Sequence, residues 1–241
     1  MEETSPTVTV ATTTAAGVVS TSTRTLKTVI AYDVLGNVVS RTEDAAGAQP
    51  RITQYQYDNR GNQIRTIFPD AWRINPATGQ LEATGTVSTI EVTYNTLNQA
   101  VVQKDVNGNY SYKVYDTMGR VTHEVDPEGH VTGYTYNAFG EQSQLRRYAN
   151  RLNTAGISGF VPGGPLLSWQ LTSTVLVADA ANDRVVTTTY DSRGLKLQVT
   201  QSTISYVQSN GSTASASPIT QFSYSAFGEL ARTSVLLDQA A

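Results

Sequence analysis

The 241-residue sequence predicts an all-β chain, an antiparallel β-hairpin repeat strip, on three observations. A corner motif, a short polar residue followed by two variable residues and usually a glycine, recurs along the chain, most often behind a tyrosine. Tyr94, Tyr115 and Tyr136 stand twenty-one residues apart, the fixed period of a repeat architecture. The runs between corners alternate, with Ile90, Val92 and Tyr94 on one face and Thr53, Tyr55 and Tyr57 on another, the pattern of half-buried strands.

The corner is turn chemistry. Asp, Asn or Ser suits the first position of a type I turn because its short side chain accepts a hydrogen bond from the backbone two residues on. Pro127, in Asp126-Pro127-Glu128-Gly129, has the fixed φ that the second position favours. Glycine at the fourth position can take the left-handed conformation that closes such a turn into a bulged hairpin. At Asn95-Thr96-Leu97-Asn98 the glycine is replaced by Asn98, the residue type that next best tolerates φ > 0.

Taken in order, the Thr- and Val-rich start predicts strands near 7–13 and 23–32, with Pro6 and Gly17 as punctuation. Corners follow at Asp33-Val34-Leu35-Gly36, Asp44-Ala45-Ala46-Gly47 and Asp58-Asn59-Arg60-Gly61. Residues 68–88 interrupt the array with Pro69, Trp72, Pro76 and Gly79, and read as a loop or extra hairpin. Trp72 there is read as covering a sheet edge, the alternative being a binding loop. The array resumes through Asn95, Asp105-Val106-Asn107-Gly108, Asp116-Thr117-Met118-Gly119 and Asn137-Ala138-Phe139-Gly140. A second interruption over about 142–185 predicts a short helix over 142–152, from Leu145, Tyr148 and Leu152, then a Gly/Pro loop and a strand over 166–178. Asp191-Ser192-Arg193-Gly194 and Ser225-Ala226-Phe227-Gly228 are the last corners, and the Ser/Gly/Ala stretch over 210–217, inside a third insertion at about 202–218, reads as a flexible hairpin tip or a disordered excursion. The domain reading is one array over 1–241.

Composition narrows the function classes. At 26.0 kDa the chain is long enough to bury a sizeable core, and its 17 Lys and Arg are scattered at a net charge of −3, so neither nucleic acid nor an anionic membrane is an expected partner. There is no cysteine, hence no disulfide or thiolate chemistry, and no apolar run long enough for a membrane span or a signal peptide in the chain as given. His123 and His130 flank the 126–129 corner and could approach each other near Glu124 or Glu128 as a metal site, but we read them as solvent-facing strand residues. Asp105, Asn107 and Asn109 imitate the start of a calcium loop, yet Tyr110 stands where glycine is needed and Asp116 where glutamate is. Glu43 and Asp44 belong to a turn, and no partnered nucleophile or phosphate loop occurs. The expectation is a non-enzyme with no cofactor and no metal.

The units Tyr32-Asp33-x-x-Gly36, Tyr57-Asp58-x-x-Gly61, Tyr115-Asp116-x-x-Gly119 and Tyr190-Asp191-x-x-Gly194 resemble YD repeats of the Rhs type. The variants Tyr94-Asn95-x-x-Asn98, Tyr136-Asn137-x-x-Gly140 and Tyr224-Ser225-x-x-Gly228 extend the likeness over most of residues 32–230. Such repeats occur in bacterial Rhs polymorphic toxins, cage subunits of insecticidal toxin complexes and teneurins. The resemblance implies a segment of a spiralling β-shell, secreted and bacterial, that encapsulates a C-terminal toxin, with the remaining repeats of the shell and the toxin as partners. The proline- and aspartate-rich closing motif of bacterial Rhs cores, with its self-cleaving aspartates, has no counterpart positions here, so the chain reads as a shell segment or a piece cut from one. The alternative is an extracellular binding module whose tyrosines and inserted loops recognise a cell-surface glycan or receptor. Recurrence of Tyr94, Tyr115 and Tyr136 predicts a ladder of their rings, stacked laterally between neighbouring strands, if the shell reading holds.

Overall fold

A computed structural model describes residues 2–13, 19–47 and 50–239. Among them are eighteen strands, two short 3-10 turns and no α-helix. The chain divides into two units, residues 1–110 and 111–241.

The first unit holds β1 (Glu2–Thr13), β2 (Val19–Tyr32), β3 (Val38–Glu43), β4 (Arg51–Tyr57), β5 (Gln63–Ile67), β6 (Trp72–Ile74), β7 (Leu81–Ala83), β8 (Thr89–Tyr94) and β9 (Ala100–Lys104). Seven of these pair antiparallel in the order β1-β2-β3-β4-β5-β8-β9, while β6 and β7 form a separate hairpin. The second unit opens with β10 (Tyr110–Tyr115), followed by β11 (Val121–Val125), β12 (Val131–Tyr136), β13 (Gln142–Arg147), β14 (Arg184–Tyr190), β15 (Lys196–Gln201), β16 (Ile204–Val207), β17 (Thr213–Tyr224) and β18 (Leu230–Gln239). They pair antiparallel as β10-β11-β12-β13-β14-β15-β17, and β17 also takes β16 and β18. Gly17 of the first predicted punctuation lies outside the described residues.

Antiparallel order places alternate connections on opposite edges of a sheet. In the first unit the tyrosine corners at 33–36, 58–61 and 95–98 share one edge, and the 68–88 insertion leaves from the other. In the second unit the corners at 116–119, 137–140, 191–194 and 225–228 share one edge, and both the 148–183 insertion and the excursion through β16 leave from the other. Every insertion therefore enlarges a connection without a tyrosine corner.

Several expectations are corrected. The helix expected over 142–152 is strand β13 through Arg147, because pairing with β12 on one side and β14 on the other outweighs the helical spacing of three apolar residues. The strand expected over 166–178 is instead a 3-10 turn at Ser168–Gln170 and further hydrogen-bonded turns, with Leu166, Val175 and Leu176 buried. Over 210–217 it is the hairpin, of the two readings, that forms: Gln208 and Ser212 close a turn, and β17 begins at Thr213. At the 44–47 turn the left-handed residue is Asp44 (φ 51), not Gly47.

The insertion of the second unit lies against one face of β10–β13. Tyr112, Val114, Val125 and Val131 are buried from the sheet side, and Leu152, Ile157, Leu166, Val175 and Leu176 from the insertion. The Phe160 ring meets the Tyr112 ring at 5.9 Å, and the Gly163 amide donates to the Tyr112 hydroxyl (3.1 Å). The insertion is tied at both ends by Asp183, whose side chain is 1% exposed and accepts the amides of Ala149 (2.9 Å) and Asp179 (3.1 Å) and the Arg146 guanidinium (3.4 Å). A buried carboxylate is stable only when so satisfied.

Candidate functional site

The corner recurs with one geometry. At Asp33 the backbone amide donates to Asn37 O (2.9 Å), and Gly36 N returns a bond to Asp33 O (3.2 Å). The carboxylate Oδ1 accepts the amides of Leu35 (2.9 Å) and Asn37 (2.8 Å). The same set forms at Asp58, Asn95, Asp116, Asn137, Asp191 and, through its hydroxyl, Ser225. Gly36, Gly61, Gly119, Gly140, Gly194 and Gly228 have φ between 80 and 89, and Asn98 takes φ 61 in the glycine position. A register shift accompanies each of Tyr32, Tyr57, Tyr94, Tyr115, Tyr136, Tyr190 and Tyr224, the bulge that such a turn requires.

The tyrosines act laterally through their hydroxyls. Tyr57 donates to Val38 O (2.9 Å), Tyr94 to Gln63 O (3.2 Å), Tyr136 to Val121 O (2.7 Å), Tyr190 to Gln142 O (2.9 Å) and Tyr224 to Lys196 O (2.9 Å). Each acceptor is the first residue of the return strand of the preceding corner, two residues past its glycine position. There the ladder between neighbouring hairpins has run out; the β11–β12 register, for instance, is recorded only over Val125 to His123. The phenol supplies the donor that the backbone lacks, which phenylalanine could not do. The expectation of rings stacked across neighbouring strands is thus corrected: Tyr57, Tyr94, Tyr136, Tyr190 and Tyr224 join neighbouring hairpins by hydroxyl-to-carbonyl bonds.

A second rule, missed in the sequence, sits one residue past the corner glycine. At Asp33, Asp58 and Asp116 the residue four on is a donor, Asn37, Asn62 and Arg120 bonding the carboxylates at 2.7–2.9 Å, whereas at Asp191 that residue is Leu195 and Arg193, two on, bonds the carboxylate at 3.0 Å. Where the corner begins with Asn, the residue four on is an acceptor: Gln99 takes the Asn95 amide and Glu141 the Asn137 amide, both at 2.6 Å. Polarity swaps in register, a signal readable from sequence once two corners of each kind are aligned. Arg120 reaches further, its guanidinium lying 4.5 Å from the Tyr136 ring centroid, so one side chain braces its own corner and the next hairpin.

These bonds set the electrostatics. The Asn37 and Asn62 side-chain amides hold the Asp33 and Asp58 carboxyls below the usual range, and backbone amides of Asn109, Arg120 and Leu195 do so at Asp105, Asp116 and Asp191. Burial raises the phenols of Tyr57, Tyr136 and Tyr190, so they remain donors at neutral pH. Asp105 is committed to the amides of Asn107 and Asn109 as a turn. His130 Nδ1 lies 3.2 Å from Asp126 Oδ2 and 3.7 Å from Glu128 Oε2, whereas His123 is half-buried on the covered face, a correction to the solvent-facing reading. Among the described residues no group of three metal-ligating side chains comes together.

The third corner residue was also missed. Met118, Phe139 and Phe227 on the edge of the second unit are 71%, 88% and 92% exposed, and Leu35 and Leu97 of the first unit likewise face solvent. Trp72 on β6 is 43% exposed and Trp169 in the second insertion 70%.

The family model described as RHS Repeat matches residues 115–151. Among solved structures, that of TcdB2-TccC3 without its hypervariable C-terminal region is similar at 15% identity and a TM-score of 0.54, over 89% of this chain and 9% of that one. The Photorhabdus luminescens Tc holotoxin pore carrying a point mutation in TccC3 gives 16% identity and a TM-score of 0.53, over 88% and 9%. The chain spans about a tenth of the length of these structures, and at such identities the likeness shows the fold. No curated protein sequence matches the chain.

Proposed function

We propose that the chain is a YD/Rhs-repeat segment, non-catalytic and structural, of a shell that encloses a C-terminal toxin in a bacterial secreted toxin. The observation that carries this reading is the destination of the tyrosines. Tyr57, Tyr94, Tyr136, Tyr190 and Tyr224 each spend their one donor on the neighbouring hairpin, making the repeat a brace for the last. A ligand-binding surface would present those phenols to solvent; a wall spends them on cohesion. A sheet extended laterally by such bonds can grow by further repeats without a change of geometry, which suits it to enclosing a volume. The remaining repeats and the enclosed toxin are the partners of this reading, and the extracellular space its location.

The test is protection of a passenger. In the complete encoded protein, a folded or unfolded C-terminal passenger should resist added protease, and opening two corners by substitution of their tyrosines should expose it. Digestion at the same rate with the array intact and with it opened would overturn the proposal.

The second reading, a module for a cell-surface glycan or receptor, rests on the exposure of Trp72 and Trp169, both on insertions at the edge opposite the tyrosine corners of their own units. Specific glycan capture lost in Trp72→Ala or Trp169→Ala, with unfolding unchanged, would favour it.

A further inference from the structure

The second unit carries a cross-strand row that the corner chemistry does not use. Val114 of β10 faces His123 of β11, His123 faces Gly133 of β12, and Gly133 faces Arg146 of β13. Register partners share a face, so His123 and Arg146 flank Gly133 on the side that the insertion covers. A Cβ at Gly133 would lie 3.2 Å from the Tyr148 ring and 3.4 Å from the His123 imidazole. The glycine is thus a hole filled by a phenol and an imidazole together.

Tyr148 is the root of the insertion. Its amide donates to Val131 O (2.9 Å), and the Leu152 amide donates to Gly129 O (2.9 Å), so residues 148–152 run along β12 before the insertion turns in to cover Tyr112 and Val131. The Arg146 guanidinium lies 5.7 Å from the Tyr148 ring centroid.

We propose that this root is an acid-sensitive latch: protonation of His123 on the covered face unseats Tyr148 from Gly133 and loosens residues 148–152 from β12. The groups around the imidazole give a cation there no compensation. Val114 faces it from β10, Gly133 from β12, and Tyr148 from the insertion; Thr122 Oγ lies 3.2 Å from Nδ1. The nearest charge in the row is Arg146, itself a cation, and Asp183 on that face is already committed to Arg146 and to two amides. The Lys113–Glu124 pair (3.0 Å), together with Tyr134 and Arg147, lies in the adjoining register positions, which point to the opposite face. Burial already holds the His123 imidazole below the ordinary histidine value, as a site built for the neutral ring would. A group whose folded pKa is depressed leaves stability intact above its unfolded value and removes it as pH falls below that value, here below about 6.5.

Amide hydrogen exchange across residues 148–152, corrected for the intrinsic pH dependence, reads the latch directly. Protection of the Tyr148 and Leu152 amides should fall between pH 7 and pH 5, by at most about tenfold per pH unit for one linked proton. His123→Gln should flatten this dependence, and His130→Gln, beside Asp126, should retain it. NMR titration of both imidazoles in the unaltered chain is the second measurement, and the protection loss should level off where His123 titrates. Equal corrected protection at both pH values, a dependence that survives His123→Gln, or a loss that levels off with His130 instead would each overturn the latch.

Discussion

Tyr136→Phe isolates the contribution of one brace. The substitution deletes the hydroxyl that donates to Val121 O at 2.7 Å and leaves the ring on which the Arg120 guanidinium rests at 4.5 Å. A neutral hydrogen bond contributes about 0.5–1.5 kcal/mol net, and this carbonyl has no neighbouring strand amide in the recorded register, so a loss of about 1 kcal/mol is expected. Tyr136→Ala removes the ring as well, and with it the cation–π contact, for a loss of about 2 kcal/mol or more. For a unit of this size the first figure corresponds to a fall in Tm of about 4 °C. Urea unfolding of the two variants, followed by tyrosine fluorescence and circular dichroism, separates hydroxyl from ring. Tyr32→Phe is the reference, at a tyrosine that is 46% exposed. Should Tyr136→Phe unfold like the unaltered chain while Tyr136→Ala is destabilised, the hydroxyl account of the array fails and ring packing takes its place.

Four more outcomes follow from the corners. Gly119→Ala, at φ 82, should destabilise by about 1 kcal/mol or more in denaturant unfolding, with Thr117→Ala as reference; Gly85 cannot serve, because it too is left-handed at φ 67. Asn137→Asp should set two carboxylates where the Asn137 amide now meets Glu141 at 2.6 Å, lowering the urea midpoint at pH 7, and Asn137→Asp combined with Glu141→Arg should recover it by recreating the Asp116–Arg120 pairing. Phe139→Ser, at an 88% exposed position, should change stability by less than about 0.5 kcal/mol, and a larger loss in unfolding would mean that the corner side chain has a partner within the chain. The corner aspartates have lowered pKa values, so their contribution is present above the ordinary carboxylate value and lost as pH falls below about 4; the urea midpoint should drop there, and less steeply in Asp58→Asn.

What the sequence made legible was local. A type I turn with a left-handed fourth residue is decided within five residues, so the corners at Gly36, Gly61, Gly119, Gly140, Gly194 and Gly228 and the asparagine substitution at Asn98 could be read directly. The helix expected over 142–152 went wrong because three apolar residues at helical spacing say nothing of the strands on either side, and β13 is held by both. The interior of the insertion was illegible for a different reason. Leu166, Val175 and Leu176 are buried by a compact loop with no period of its own, and what ties its ends, Asp183, is an unremarkable aspartate until Ala149 and Asp179 are brought to it. The pairing of the first corner residue with the fifth was present in the sequence all along, as donor after Asp33, Asp58 and Asp116 and acceptor after Asn95 and Asn137, but it becomes visible only once the side chains are known to meet.

The tyrosine bond also explains why the insertions leave from one edge alone. From Tyr to acceptor the chain separation is 15 residues at Tyr136 and 48 at Tyr190, yet the bond lengths are 2.7 and 2.9 Å. The difference is the 148–183 insertion, which lies between the strands that Tyr190 joins but on the edge away from it. Lengthening a connection on that edge leaves the register of β13 against β14 untouched and so leaves the phenol in reach of Gln142 O. Lengthening a tyrosine corner would shift the return strand relative to the bulge and move the acceptor for the next tyrosine, breaking two contacts at once. The fold therefore divides labour between its edges within each unit: one is fixed by its hydroxyl braces, and the other is free to acquire loops of any length. In the enclosing role we propose, a wall that stays continuous while its decorations vary needs that division.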